Sequence, residues 1–403
     1  MNYSKQEVMQ FIQEEDVKFI RLAFCDVFGK QKNIAVMPSE IARAFHYGIA
    51  IDASAIEGFG DETRSDLFLH PDPSTLAILP WRPEHGRVVR MYCDISYPDG
   101  TPFACDTRNI LKTAVETAER EGVRFQFGTE MEFYLFKLDE NGNPTEEPFD
   151  NAGYMDIAPA DKGENIRREI CLTLEQMGIV PESSHHEEGP GQNEIDFRYS
   201  LPLEAADNAM TFRSAVNAIV SRNGIAADFS PKPLDHASGN GFHINFSVKS
   251  RLEEDVLPQT VAGIMQRIED MTLFLNPTER SYNRLGNNKA PSYISWSNEN
   301  RSQLIRIPAS EEKRAELRSP DPAANPYIAF ALLIYAGLEG IKNKKQPPKQ
   351  ENINFYTASE ETLKKYKRLP LSLSAAAEIA TQSDFIGKYL PKELIAAYGK
   401  LGK

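Results

Sequence analysis

The chain has 403 residues, 41% hydrophobic and 26% charged, the composition of a globular protein long enough for two or three domains. Its net charge of −13 argues against nucleic acid or an anionic membrane as the main partner. The four cysteines (Cys25, Cys93, Cys105, Cys171) form no CxxC pair and read as reduced thiols of a cytoplasmic protein, not as a zinc site or a disulfide frame.

The N-terminus, Met1-Asn2-Tyr3-Ser4-Lys5-Gln6, lacks the apolar stretch of a signal peptide. Residues 4–15 pattern as a helix, and 19–24 and 32–36 as strands around a turn at Phe28-Gly29-Lys30. A charged loop at 61–65 and breaks at Pro71-Asp72-Pro73 and Leu79-Pro80-Trp81-Arg82-Pro83 precede a strand at 88–95. Residues 1–103 therefore read as a small mixed domain and 104–403 as a larger one. Asp106-Thr107 predicts the cap of a helix reaching 121. Strands and helices then alternate, with helices near 161–177, 203–223, 258–275 and 323–342, the last starting at Asp321-Pro322. The longest apolar run, 328–338, is too short to span a bilayer and predicts a buried helix. After the basic loop 342–348, two short helices are expected beyond Leu369.

A strand period of two decides which side chains share a face. Along 124–136, Phe125, Phe127, Met131, Phe133 and Leu135 share one face, and Glu130 and Glu132 the other. Along 194–198, Ile195 and Phe197 oppose Glu194, Asp196 and Arg198. Along 242–247, Phe242, Ile244 and Phe246 oppose His243, Asn245 and Ser247, and Glu316 shares a face with Arg318. Each strand thus offers an apolar face to helices and a charged face to a common cavity. The layout predicts an α+β fold with a curved, mostly antiparallel sheet backed by helices. A single Glu-x-Glu is ordinarily a solvated face, and His185-His186-Glu187 alone reads as a surface turn. Four strands repeating the pattern argue for a site, and Gly189-Pro190-Gly191 suits a tight loop returning Glu187 and Glu194 to one place. Carboxylates with at most one imidazole suit Mg²⁺ or Mn²⁺.

Arg284, Arg301, Arg306, Arg314 and Arg318 form a dense basic stretch. Singly each reads as an ion-pair partner. As a group beside a cation site they fit polyanion binding, because guanidinium forks match carboxylate and phosphate oxygens. No GxxxxGK[ST] or contextual GxGxxG supports a P-loop or kinase-type site.

Seven segments carry a family resemblance: SDLFLHPDPST at 65–75, Leu79-Pro80-Trp81, GTEMEF at 128–133, HHEEGPGQNE at 185–194, Gly239 to His243, NRSQLIRIP at 300–308 and RSPDPAANPY at 318–327. Over almost its full length the chain resembles glutamine synthetases, closest to the bacterial class I type. The resemblance implies a β-grasp-like N-terminal domain and a catalytic domain that transfers the ATP γ-phosphoryl group to glutamate before an amine displaces phosphate. It implies two or more Mg²⁺ (or Mn²⁺) ions per site. Glu132, Glu187 and Glu194 resemble the ligands of one, and Glu130, His243 and Glu316 those of the other. Arg284 and Gly239 resemble groups that contact the glutamate substrate, Arg301, Arg306 and Arg318 those near the transferred phosphoryl group and the substrate carboxylate, and Arg306 and His243 are expected to bind substrate too. Asp52 resembles an ammonium-deprotonating aspartate supplied by a neighbouring subunit, which implies a homo-oligomeric ring, a hexamer or dodecamer.

The chain departs from the family at the flap over the glutamate site. Family members usually carry a glutamate before its Ala-Pro, whereas Arg284-Leu285-Gly286-Asn287-Asn288-Lys289-Ala290-Pro291 holds no carboxylate and places Lys289 there. A lysine cation should repel ammonium. Ammonia is thus expected to be a poor acceptor, with an organic amine, giving a γ-glutamylamide, as the rival. The shorter C-terminal region is expected to alter ring stacking, and no counterpart of the adenylylated tyrosine of some members is found. A non-catalytic assembly or regulatory protein is the alternative from another class.

Overall fold

The computed structural model describes residues 3–82, 85–287, 289–310 and 312–403. Met1, Asn2, the Pro83 chain break and the flap residue Asn288 lie outside them. Ser4 and Glu7 cap α1 (Lys5–Glu14) reciprocally, satisfying two free amides. The N-terminal sheet contains β1 (Val17–Cys25), β2 (Gln31–Val36), β3 (Ile49–Asp52), β4 (Asp66–Pro71), β5 (Ala77–Ile78) and β6 (Arg87–Ser96), with α2 (Ile41–Tyr47) between β2 and β3. Its order is β2-β1-β6-β4-β3, with β5 also on β6. Only β1 and β6 run parallel within it, as a β-grasp arrangement requires.

Asp106 caps α3 (Thr107–Arg120), as the sequence predicts. The second sheet has β7 (Val123–Leu138) at its centre, with β8 (Pro144–Pro148), β9 (Pro181–His186), β10 (Gln192–Ser200), β11 (Ile225–Asp228), β12 (Phe242–Ser250), β13 (Trp296–Asn298), β14 (Ile305–Ile307) and β15 (Ala315–Leu317). Among the described residues the order is β13-β14-β15-β12-β7-β10-β9, and every pairing is antiparallel except β13 with β14. Its apolar face carries the expected Phe125, Phe127, Met131, Phe133, Ile195, Phe242, Ile244 and Phe246, all buried. Helices α4 (Glu164–Gln176), α5 (Pro202–Arg222), α6 (Leu257–Leu275), α7 (Glu279–Arg284) and α8 (Pro326–Lys342) make up much of the rest of the domain.

Helix α8 starts at Asn325-Pro326, not at Asp321-Pro322. Asp321 is fully buried, and its carboxylate accepts from Asn276 Nδ2 (2.7 Å) and the Ala323 amide (3.1 Å). Asn325 is left to accept the Tyr327 amide at 3.0 Å. Past Leu369 there are three helices rather than two, after a short α9 (Glu360–Leu363): α10 (Leu373–Gln382), α11 (Asp384–Tyr389) and α12 (Lys392–Gly399). Ser383 ends α10 and caps α11, and Pro391 then starts α12.

Two contacts fix how the layers sit. Arg108, buried at the start of α3, donates to Asp72 and Asp94 of the N-terminal domain and to Asp207 of α5, each at 2.9 Å. Helices α6 and α8 meet main chain to main chain: a Cβ on Gly263 would lie 2.1 Å from the Ala336 carbonyl, and one on Gly340 2.0 Å from that of Gln259.

Candidate active site

Strand register assembles the charged face. Glu194 on β10 lies opposite Glu132 on β7 and opposite His185 on β9. Asp196 lies opposite Glu130, which is itself opposite His243 on β12. Asn245 lies opposite Glu316 on β15, and Glu316 opposite Arg306 on β14. A row of ionisable groups therefore crosses six neighbouring strands, each held out by the pleat that buries its apolar neighbours.

Most of these side chains converge on one cavity of about 360 Å³, lined by Glu130, Glu132, Glu187, Glu194, His243, Arg284, Arg301, Arg306 and Arg318 among others, with Glu316 buried beside it. One ligand atom each from Glu130, His243 and Glu316 lie within 4.8 Å of one another, and so do those of Glu132, Glu194 and His243. His185, Glu187 and Glu194 form a third such group, and Glu130, Glu194 and Asp196 a fourth. His243 Nδ1 is 3.2 Å from Glu130 and 3.7 Å from Glu316, and its Nε2 is 3.9 Å from Glu132. The imidazole thus stands between the carboxylates.

The electrostatics call for cations. Burial pushes the Glu194 carboxyl well above its ordinary range, and Asp196, Glu130, Glu132 and Glu187 push it further. Burial and the Glu130 charge raise Asp196 to about 7. Burial also raises Glu130, but the His243 hydrogen bond and charge, with Asn245 and Arg318, outweigh it and hold that carboxylate down. So many carboxylates in one concavity repel unless positive charge lies between them. The donor set, oxygens with one imidazole, fits hard divalent ions.

Glu316 is different, because its charge is already matched. Arg306 Nη1 and Arg318 Nη1 donate to its two oxygens at 2.7 and 2.6 Å in a fully buried setting. Buried Arg284 donates to the Ser319 and Arg318 carbonyls at 2.8 and 3.3 Å. A Cβ on Gly239 would sit 2.4 Å from the Pro231 carbonyl and 2.9 Å from Arg284 Cγ, so only glycine fits beside that arginine. Arg301 and Arg314 line the same cavity.

Asp52 is elsewhere. It ends β3 in the N-terminal domain, exposed, and accepts from the Ser54 amide at 3.0 Å. It does not line the cavity of its own chain. Lys289 is at the cavity, but its ammonium is bound by Glu188 of the β9–β10 loop. That carboxylate, absent from the flap itself, comes from across the opening.

Sequence reasoning missed several groups. His185, read as part of a surface turn, faces the site with Nε2 2.9 Å from Glu187. Tyr154 and Ser238 line the cavity without any motif to mark them. Gln192 and the Gly241 amide each donate to Glu132 at 2.9 Å. Behind Glu187, His186 bridges the Glu187 carbonyl (2.7 Å) and the buried Asp150 carboxylate (2.8 Å).

Two family models match the chain: "Glutamine synthetase, beta-Grasp domain" over residues 16–98 and "Glutamine synthetase, catalytic domain" over 104–403. The chain belongs to the glutamine synthetase family. It is 43% identical to a glutamine synthetase of Methanosarcina mazei, covering 98% of this chain and 92% of the relative. Against that of Clostridium saccharobutylicum the identity is 41%, covering 98% and 93%. Among solved structures, a GmaS–ADP complex superimposes with TM-score 0.88 at 27% identity, covering 97% of this chain and 94% of the other. The Plasmodium falciparum glutamine synthetase shares the fold, with TM-score 0.87 at 24% identity over 100% and 96% of the two chains. As a glutamine synthetase family member the chain is an ATP-dependent carboxylate–amine ligase. No helix among the described residues is long and apolar enough to cross a membrane.

Proposed function

We propose that this ligase phosphorylates the side-chain carboxylate of glutamate with ATP and then lets an amine displace the phosphate. The observation that carries the reading is one cavity where Glu130, Glu132, Glu187, Glu194 and His243 meet Arg284, Arg301, Arg306 and Arg318, with Glu316 buried against the last two. Two or more Mg²⁺ or Mn²⁺ ions would be held by Glu132, Glu187 and Glu194 and by Glu130, His243 and Glu316. When bound they supply charge neutralisation for the ATP phosphates.

The chain's own residues do the rest. Arg284, seated against Gly239, holds the glutamate α-carboxylate. Arg301 and Arg318 stabilise charge on the phosphoryl group in transfer, and Arg306, which also donates to the buried Glu316, contacts the substrate. Asp52, contributed by a neighbouring chain of a homo-oligomeric ring, a hexamer or dodecamer, takes a proton from the acceptor. The protein works in the cytoplasm.

Ammonia is the acceptor in a glutamine synthetase, the name both curated relatives carry. An organic amine is the rival acceptor, resting on Lys289 at the flap, whose charge Glu188 partly offsets. A non-catalytic assembly is disfavoured, since a complete set of buried acidic ligands would be costly to keep without cations. The deciding experiment measures phosphate release with glutamate, ATP and Mg²⁺ across ammonia, hydroxylamine, alkylamines, polyamines and amino alcohols. Release with no acceptor in the panel would refute the ligase reading.

A further inference from the structure

A second cavity, of about 350 Å³, shares no lining residue with the acidic one and lies between the N-terminal sheet and helix α5. One wall is a sheet face: Arg21 and Ala23 of β1, Gln31 and Asn33 of β2, and Arg90 and Tyr92 of β6. The opposite wall is α5, through Thr211, Ser214, Asn217 and Ala218, at spacings that share one helix face. Trp81 and Arg82 also line it.

Among the described residues the charge lining this cavity is unbalanced. Arg21 and Arg90 are register partners on the parallel pair β1–β6, so two cations sit side by side on one sheet face. Like charges directly opposite on neighbouring strands destabilise a sheet. Arg82 is the third cation, and no carboxylate lines the cavity among the described residues. None of the three guanidiniums makes an ion pair with a described residue. Arg90 is only 7% exposed, donates to Thr211 Oγ1 at 2.9 Å and stacks 4.0 Å over the Tyr92 ring, yet its buried Nε has no partner. Burial and the Arg82 charge disfavour the Arg21 guanidinium in its charged form.

Two other buried guanidiniums are matched by carboxylates, Arg108 by three aspartates and Arg318 by Glu316, while buried Arg284, in the acidic cavity, is not. A cavity with three guanidiniums, hydroxyl and amide donors and an aromatic wall is built instead for an anion from outside. We infer that this interdomain cavity binds a small organic anion bearing carboxylate or phosphate groups, held by Arg21, Arg90 and Arg82 and covered by Trp81. Bound there, the anion would link the N-terminal sheet to α5, whose chain follows directly from the Glu194 strand.

Trp81 gives a direct reporter, because the chain has only two tryptophans. In a Trp296→Phe background, Trp81 fluorescence of the intact protein is titrated with succinate and, separately, with inorganic phosphate. A saturable change with either supports the site and assigns its class, carboxylate or phosphate. Arg21→Gln should weaken that binding at least tenfold, and Arg82→Gln should weaken it less. A second background, Arg318→Gln, removes an active-site anion contact and should leave the titration unchanged. Thermal unfolding with and without the anion provides a readout for Arg90→Gln if that variant is too unstable to titrate: the anion-dependent rise in Tm should vanish. No saturable change with either probe, a titration indifferent to Arg21→Gln, or one abolished by Arg318→Gln overturns the inference.

Discussion

Lys289 and Glu188 form an ion pair across the mouth of the acidic cavity, joining the flap to the β9–β10 loop. The flap cation is therefore partly neutralised, and its side chain is 61% exposed, so water screens what remains. The repulsion of ammonium expected from the sequence shrinks to the scale of an exposed pair, about 1 kcal/mol or less. Glu188→Gln should release the lysine and lower kcat/KM for ammonia by a few-fold at low salt. Adding Lys289→Gln to that variant should restore it, and high salt should erase the difference. An ammonia kcat/KM that stays flat through both substitutions would remove the flap from acceptor selection.

Glu194 sits among carboxylates that push its own pKa upward. Glu194→Gln should abolish turnover, a loss larger than the roughly 10–100-fold typical when a residue behind a metal ligand is removed. The metal-free protein should be as stable or more stable, because one member of a mutually repelling set is gone. Calorimetry with and without Mg²⁺ checks this: the wild type should gain Tm on adding Mg²⁺ and the variant should gain less.

Asp52 is exposed at the end of β3 and absent from the cavity of its own chain. Asp52→Ala and Glu316→Ala proteins should each be inactive alone. Dissociated, mixed in equal parts and reassembled, they should recover activity at about a quarter of the interfaces, those that join two intact halves. A mixture as inactive as its components would rule out a shared site.

Arg108 offsets three aspartates at the domain junction. Burial alone would raise Asp72, but the Arg108 charge and hydrogen bond outweigh it and lower its pKa. A lowered carboxylate pKa contributes stability above the unfolded value, and that contribution fades as pH falls through the folded value. Arg108→Gln strands the buried Asp207 and the part-buried Asp72, while Asp94 keeps Lys112, and should cost about 3–5 kcal/mol at neutral pH. The gap to wild type should narrow as pH falls below the ordinary aspartate value of about 4, where Asp72 takes up its proton in turn. Urea unfolding of both proteins from pH 7 to 3.5 tests the sign.

The strands that build the site were legible because a period of two writes the buried and the ionisable face into the same few residues. Glu130, Glu132, Glu194, His243 and Glu316 were found in this way, with apolar neighbours marking the other face. The Lys289–Glu188 pair was not, since its members are 101 residues apart and each alone looks like a solvated charge. His185 read as a turn because its role depends on lying opposite Glu194, a register that local sequence does not state. The start of α8 was misplaced because Asp321-Pro322 and Asn325-Pro326 are equivalent starts locally. Buried partners distant in sequence, Asn276 and Ser281, decide that Asp321 is already taken.

The main-chain contact between α6 and α8 bears on how finely the cavity is set. Helix α6 follows the strand of His243, and α8 follows that of Glu316. Where Gly263 and Gly340 meet, nothing compressible separates the two helices. Side chains can swap rotamers to absorb a misfit, whereas two backbones in contact act as a gauge block. The 3.7 Å between His243 and Glu316 is thus referenced to a hard stop behind the sheet, and the tolerance of the acidic cluster is machined into its far side.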